Sequence, residues 1–282
     1  MMSESTINQA DRARPARPAR PQAVLTVLGR EWLSPHMVRV TAGGDGFEAL
    51  RMNDFTDKYA KLLFADPGLG LTPPYDLAAL RESLPPDRQP VTRTYTLRRA
   101  DAQRREVTID FVVHGDEGIA APWAARAEPG DIVTLSGAGG AYRPDPGSDW
   151  YLLAGDESAL PAISSALEAL PAGARGIAYL ETCDPGEQLD ATVPAGVEVV
   201  WLHRPQPGSR PRLLADTLLA GPWLPGRADV FAHGERESMK AVRAALATLR
   251  GDGDQVSLSG YWAAGRTEDV FQSEKRQPIG QL

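Results

Sequence analysis

The stretch WYLLAGDESALPAISSALEAL, residues 150–170, decides the fold, because the rhythm of the chain changes there. Trp150 to Gly155 run without a charged residue, as a strand covered on both faces does. The remainder, from Asp156, reads as a helix: Ser158 stands where a cap belongs, and Pro161 falls in the first turn, where its missing N–H costs little. The same alternation continues downstream. GIAYLET (176–182), VEVVWLHR (197–204), ADVFAHG (228–234) and QVSLSGYW (255–262) read as strands, and RLLADTLLA (212–220) and RESMKAVRAALATLR (236–250) as helices. Strands alternating with helices predict a doubly wound parallel sheet.

Upstream the reading is different. AVLTVLGREWL (23–33), MVRVTAG (37–43), YAKLLFA (59–65), RTYTLRR (93–99), EVTIDFVVHG (106–115) and DIVTLSG (131–137) are strands with little helix between them. That spacing predicts a small antiparallel β-barrel. A proline-bounded loop at 72–90, with room for one short helix, interrupts it. The N-terminal segment repeats Ala-Arg-Pro and is expected to be a disordered arm. The predicted organisation is therefore an arm at 1–22, a barrel domain at 23–146 and an α/β domain at 147–282 with a C-terminal extension, RPDPGSD (143–149) being the joint. Ligands of parallel sheets sit beyond the carboxyl ends of the strands, so a site between the two domains is expected.

Composition narrows the function. The 282 residues are 42% hydrophobic and carry a formal charge of −7, which disfavours nucleic acid and anionic membranes as partners. The single cysteine, Cys183, excludes an intrachain disulfide and any cluster built on several thiolates. Four histidines and one cysteine form no recognisable metal-ligand set. Neither a membrane span nor a secretory signal is visible, so a cytoplasmic protein, with a monomer favoured, is the expectation.

Two segments carry more polar chemistry than structure requires. In RTYTLRR, Arg93 and Tyr95 share one face of a strand while Thr94 and Thr96 take the other. Arg93 offers a donor fork suited to a phosphate or pyrophosphate, and Tyr95 a flat ring suited to an extended aromatic ligand. Alternatively, the arginines are simply solvated on a barrel exterior. In HGDEGIAAPW (114–123) a strand ends, passes through glycines and enters a helix whose first N–H groups can face a negative charge. His114 and Trp123 can equally be a backbone-satisfied histidine and a core tryptophan. With Arg93 they describe a two-sided clamp.

RTYTLRR, IDFVVHGDEGIAAPWAARAEPGD (109–131), WYLLAGDESALPAI (150–163) and LSGYWAAGRTEDVFQSEKR (258–276) together resemble, in this order, the siderophore-interacting proteins. These are FAD-dependent ferric-siderophore reductases of the ferredoxin–NADP reductase-like group, and the resemblance spans about residues 23–276. It implies FAD on the barrel, with Arg93 on the pyrophosphate, Tyr95 along the flavin or ribityl chain and Thr96 near the redox-active nitrogen. Tyr95 and Thr96 are the implied catalytic pair. His114, Gly118, Ala120 and Ala121, with Trp123, would line the phosphates and adenosine. Ile119 and Ala138 replace the family's usual prolines; Ala121 replaces its usual serine, and losing that hydroxyl predicts weaker flavin retention.

For the nicotinamide donor, NADH or NADPH, the resemblance points to the turn Asp156, Glu157, Ser158 and Ala159, and to Tyr261 and Trp262 on the flavin–nicotinamide side. No G-x-G-x-x-G is present, so an ordinary strand–helix connection and a core aromatic pair remain the plain alternatives. Gly234 and Glu235 could join the same cleft, and His233 departs from the family's small residue there. Arg204 is placed to reach an adenosine 2′-phosphate. Lys58 and Lys61 resemble a basic siderophore patch, or are edge-strand lysines that block aggregation. The function implied is reduction of a ferric siderophore, with reduced ferredoxin an alternative electron donor. The competing readings are a general flavin reductase or electron-transfer flavoprotein, and a binding module without turnover.

Overall fold

The computed structural model describes residues 21–116, 118–187, 189–204 and 212–282. Six antiparallel strands close a barrel in the order β1-β2-β5-β4-β3-β6. They are β1 (Gln22–Ser34), β2 (Met37–Gly43), β3 (Tyr59–Phe64), β4 (Val91–Asp101), β5 (Glu106–Val112) and β6 (Ile132–Gly139). The alternation seen in the sequence fills the barrel: Leu25, Val38, Val40, Leu62, Leu97, Ile109, Phe111 and Leu135 are almost fully buried. Closure removes every free edge, which a six-stranded antiparallel sheet would otherwise leave exposed. Most of the arm assigned to residues 1–22 lies outside the described residues. Gln22 does not belong to it, since it already pairs with Ser136.

The loop between β3 and β4 contains one short helix, α1 (Leu77–Ser83), capped by the Asp76 side chain. Between β5 and β6 lies α2 (Ala120–Arg126), entered through Gly118 at φ +83, a conformation open to glycine and strained for a side chain.

A parallel sheet follows, ordered β11-β10-β7-β8-β9. Its strands are β7 (Trp150–Gly155), β8 (Arg175–Thr182), β9 (Gly196–His203), β10 (Ala228–Glu235) and β11 (Gln255–Trp262). Every residue of β7 is buried, as its uninterrupted apolar run predicts for the central strand. The helices α3 (Leu160–Glu168), α4 (Leu213–Ala220) and α5 (Arg236–Leu249) cover its faces. On α5, Met239, Val242, Ala245 and Leu246 form the buried stripe at helical spacing, and Glu235 caps it by accepting from the Ser238 N–H at 2.9 Å. A last short helix, α6 (Glu268–Glu274), is capped by Thr267.

Strand order reverses between β7 and β10, the crevice where doubly wound sheets receive ligands. The packing there is tight: a Cβ on Gly155 would lie 2.6 Å from the His233 carbonyl oxygen.

Candidate active site

A cleft of about 360 Å³ opens between the barrel and the parallel sheet, within the range of small-molecule sites. The barrel contributes Tyr59 and Lys61 from β3, Thr94, Tyr95 and Thr96 from β4, and Asp110 and Val112 from β5. The sheet side contributes Ser158, Ser259, Tyr261 and Trp262, and α6 with its flank adds Glu268, Gln272 and Lys275. The β4 face and the aromatic pair of β11, separated by more than 160 residues in sequence, thus look into one space.

Tyr95 is held by the barrel core, its ring 4.4 Å from Phe111. Phe111 in turn meets Trp123 at 5.9 Å, and Trp123 meets Phe64 at 5.6 Å. Trp123 therefore acts through packing: it ties α2 to β3 and β5, and through Phe111 it backs the Tyr95 ring. The Tyr261 phenol lies beside Thr96, and burial pushes both the Tyr95 and Tyr261 hydroxyls well above the usual tyrosine range. Both are neutral donors at any physiological pH. The Thr94 hydroxyl lines the cleft, is buried, and finds no partner among the described residues. An unpaired buried hydroxyl is costly, and a ligand rich in acceptors removes that cost.

Arg93 is only 15% exposed and donates to the Thr92 carbonyl at 2.8 Å and to Asp269 of α6 at 3.1 Å. His114 lies two residues beyond the end of β5, exposed, with its ring 6.1 Å from that of His36. Ala120 is buried, so only its backbone N–H can serve a ligand, while Ala121 is half-buried. No side chain caps the start of α2.

The turn after β7 is built differently from the sequence expectation. Ser158 does not cap α3, which starts at Leu160 after an Ala159 N-cap with no side-chain bond. Instead Asp156 organises the turn. Its Oδ1 accepts from the Ser158 N–H at 3.0 Å and hydroxyl at 2.5 Å, and its Oδ2 from the Glu235 N–H and the Trp262 indole, both at 2.8 Å. Burial pushes this carboxyl upward, and the four donors oppose that by favouring the charged form. Asp156 thereby bolts the turn, β10 and β11 together and orients Trp262, whose ring stays 41% exposed. Glu157 is buried as well, accepting from the Cys183 N–H at 2.7 Å and from Arg204. Arg204 also bonds Glu181 at 3.0 Å, so its guanidinium is held by two carboxylates and is not free for a 2′-phosphate. Glu235 caps α5 and accepts from the Ala264 N–H at 3.1 Å.

The structure separates Lys58 from Lys61. Lys61 faces the cleft, whereas Lys58 lines an open groove of about 1050 Å³ with Arg98, Arg99 and Arg143. In the cleft the neighbour of Lys61 is Lys275, which sequence reasoning missed. Burial and the Lys61 charge hold Lys275 below the usual lysine range, and its ammonium lies 4.7 Å from the Phe271 ring centre. Asp110 was missed too: its carboxylate grips Arg39 through two bonds of 2.7 Å.

The donor set suits FAD: a partly buried guanidinium for the pyrophosphate, a packed phenol ring beside it, and an unpaired hydroxyl on the same strand. Antiparallel barrel, parallel sheet and aromatic-lined cleft between them define the class of ferredoxin-reductase-like flavoproteins. A solved ferredoxin NADP+ reductase from Neisseria gonorrhoeae with bound FAD and NADP shares the fold, at a TM-score of 0.61 over 86% of this chain and 99% of that one, with 15% identity. Residues 26–142 match the siderophore-interacting FAD-binding domain, and residues 148–265 match the siderophore-interacting protein family. The chain is 32% identical over 276 residues to the ferric vibriobactin reductase ViuB of Vibrio cholerae, covering 95% of this chain and 96% of that protein. It is 28% identical to an NADPH-dependent ferric-chelate reductase of Escherichia coli, covering 85% and 92%. The siderophore-interacting protein SipS from Aeromonas hydrophila superposes with a TM-score of 0.76 at 27% identity, covering 94% and 100%. The chain belongs to the siderophore-interacting protein family.

Proposed function

We propose that this protein reduces ferric siderophores with electrons from NAD(P)H, using FAD held on the barrel face of the cleft. The observation that carries this reading is the convergence of Tyr95 and Thr96 on one wall of the cleft with Tyr261 and Trp262 on the other, with Arg93 on the same strand bonded to Asp269 of α6. Family membership and the printed activities of ViuB and the E. coli reductase support it.

Bound FAD supplies the conversion of a two-electron hydride donor into single electrons for iron(III). The residues of this chain provide the geometry. Arg93 holds the pyrophosphate, and Tyr95, fixed by Phe111, supports the ring system. Thr96, with Tyr261 against it, presents a hydroxyl at the reacting edge. The turn at Asp156–Ala159 acts through its backbone and through Trp262, because the Asp156 and Glu157 carboxylates are already committed within the protein. His114, Gly118, Ala120 and Ala121 bound the phosphate and adenosine side. Lys61 and Lys275 attract an anionic ferric chelate to the cleft, and reduction to iron(II) then weakens its hold on hard oxygen donors. Among the described residues no group of three potential metal ligands occurs, and the chelator itself supplies the coordination of iron. No helix among the described residues is long and apolar enough to cross a membrane. A cytoplasmic setting, a monomeric state and reduced ferredoxin as an alternative donor belong to the same proposal.

Purified protein supplied with FAD should bleach on anaerobic addition of NADH or NADPH, and a ferrous-trapping dye should colour once a ferric siderophore is added. Failure to bind FAD defeats the proposal, and bleaching without iron reduction across several chelates points to another acceptor. Arg93→Ala should weaken FAD binding by roughly tenfold to a hundredfold, the range of a charge-assisted hydrogen bond. Unchanged affinity would remove Arg93 from the pyrophosphate.

A further inference from the structure

Arg93 is already engaged before any phosphate arrives. Its partner, Asp269, lies 176 positions away on α6, on the sheet side of the cleft. The two ends of α6 are held very differently. At the rear, Phe271 is 2% exposed, and Glu274 accepts from Arg236 at 2.5 Å and Arg266 at 2.8 Å. At the front, Glu268 lines the cleft, and Asp269, 65% exposed, reaches the barrel through Arg93. A partly buried guanidinium whose only acidic partner among the described residues is an exposed carboxylate is poised for exchange: the carboxylate gives up little on returning to water, whereas the guanidinium needs an anion.

We propose that Asp269 stands in for the FAD pyrophosphate at Arg93, so that FAD binding exchanges one anion for another and frees the front of α6 from the barrel. The inference rests on the reading of Arg93 as the pyrophosphate ligand. A pyrophosphate offers two charges and more acceptor oxygens to the same fork, so it wins the exchange, but Asp269 lowers the net gain. Flavin retention is thus set partly by a residue that need not touch flavin, and the position of α6, which walls the cleft with Glu268 and Gln272, becomes coupled to FAD occupancy.

The test is a mutant cycle on flavin-stripped protein, reading the FAD dissociation constant from quenching of flavin fluorescence at low salt. Asp269→Asn should tighten FAD by about two- to fivefold, the strength of an exposed ion pair, and Asp269→Glu, which keeps the charge, should not. In an Arg93→Ala background the gain from Asp269→Asn should vanish; Arg93→Gln serves if the alanine variant misfolds. A gain that persists without Arg93 reflects general charge and overturns the exchange. No gain in the wild-type background, with Arg93→Ala still losing FAD, overturns the exchange and leaves the Arg93 assignment standing. If Arg93→Ala binds FAD normally, that assignment fails and the exchange fails with it.

Discussion

His233 shows how one buried side chain sets a pH limit. It is 3% exposed on the central part of the sheet, its ring stacked 3.9 Å from Phe231 and edge-on to Tyr261 at 4.9 Å. Nε2 meets the Ser257 hydroxyl at 3.0 Å, and Nδ1 has no partner among the described residues. Burial, with Lys275 adding repulsion, lowers its pKa to about 3. Between that value and the unfolded value near 6.5, the unfolded chain binds a proton that the folded chain refuses, so stability falls as pH drops through this window. The full contribution is present above about pH 6.5, and its loss amounts to the order of a few kcal/mol. His233→Gln, neutral throughout, should flatten that part of the stability profile, measured by urea unfolding between pH 4 and 7; an unchanged slope would assign the acid sensitivity elsewhere.

The lysines tell a related story about what the sequence discloses. Lys58 and Lys61 read as one patch in sequence, but Lys58 precedes β3 and only Lys61 lies on it, so the two side chains take different surroundings. Lys275 was not legible, because its nearness to Lys61 depends on α6 folding back over a strand more than 200 residues earlier. Replacing Lys61 and Lys275 together by alanine should raise KM for an anionic ferric chelate several-fold and leave anaerobic flavin reduction by NAD(P)H unaltered. Steady-state kinetics with anionic and neutral chelates read the difference, and an equal effect on both would deny an electrostatic role.

At the level of elements, most of the architecture could be read because each segment's own pattern agrees with its neighbours. The β7 run is apolar throughout and lies at the sheet centre, and the barrel strands alternate and close. Strand period put Arg93 and Tyr95 on one face of β4, whereas Thr94, Tyr95 and Thr96 line the cleft, together with Tyr261 and Trp262 of β11, to which the resemblance pointed. What could not be read is how polar side chains divide between holding the fold and facing the ligand. Asp156, Glu157 and Arg204 were candidates for the nucleotide side in sequence, yet each is consumed by a partner that folding brings in from 23 to more than 100 residues away. Asp156 makes the point quantitatively. Asp156→Asn puts two N–H donors where the Glu235 N–H and the Trp262 indole now find an acceptor, and should cost about 1–3 kcal/mol. Calorimetry should show the lower Tm, and Trp262 fluorescence should shift as the indole loses its anchor. A variant as stable as the parent would mean that the carboxylate is dispensable to the turn.

Across the whole molecule, the cleft works only if barrel and sheet keep their relative placement, and a lattice of charges fastens them. Arg98 of β4 has a fully buried side chain and donates to both oxygens of Glu168 on α3, at 2.9 and 2.6 Å, and to the Asp190 carbonyl. Arg39 of β2 joins Asp110, on the cleft wall, to Asp190. Glu168 is held below the usual carboxylate range, first by its bonds to Arg98. Removing Glu168 leaves the buried Arg98 guanidinium, among the described residues, with only Asp190, through its carbonyl and a carboxylate oxygen 3.9 Å away, the costly half of a broken pair. Because Glu168 is 31% exposed, water softens the loss, and Glu168→Ala should lower stability by about 2 kcal/mol rather than the full buried-pair penalty. The kinetic consequence discriminates fastening from mere stability. Lying outside the cleft, Glu168→Ala should leave FAD affinity near that of the parent at 25 °C while slowing flavin reduction by NAD(P)H, since hydride transfer is the step that needs the two walls aligned. Stopped-flow reduction and FAD titration on the same preparation separate these outcomes. If affinity and reduction rate fall together, the pair supports the barrel itself; if neither moves, barrel and sheet hold their alignment through the apolar contacts between them.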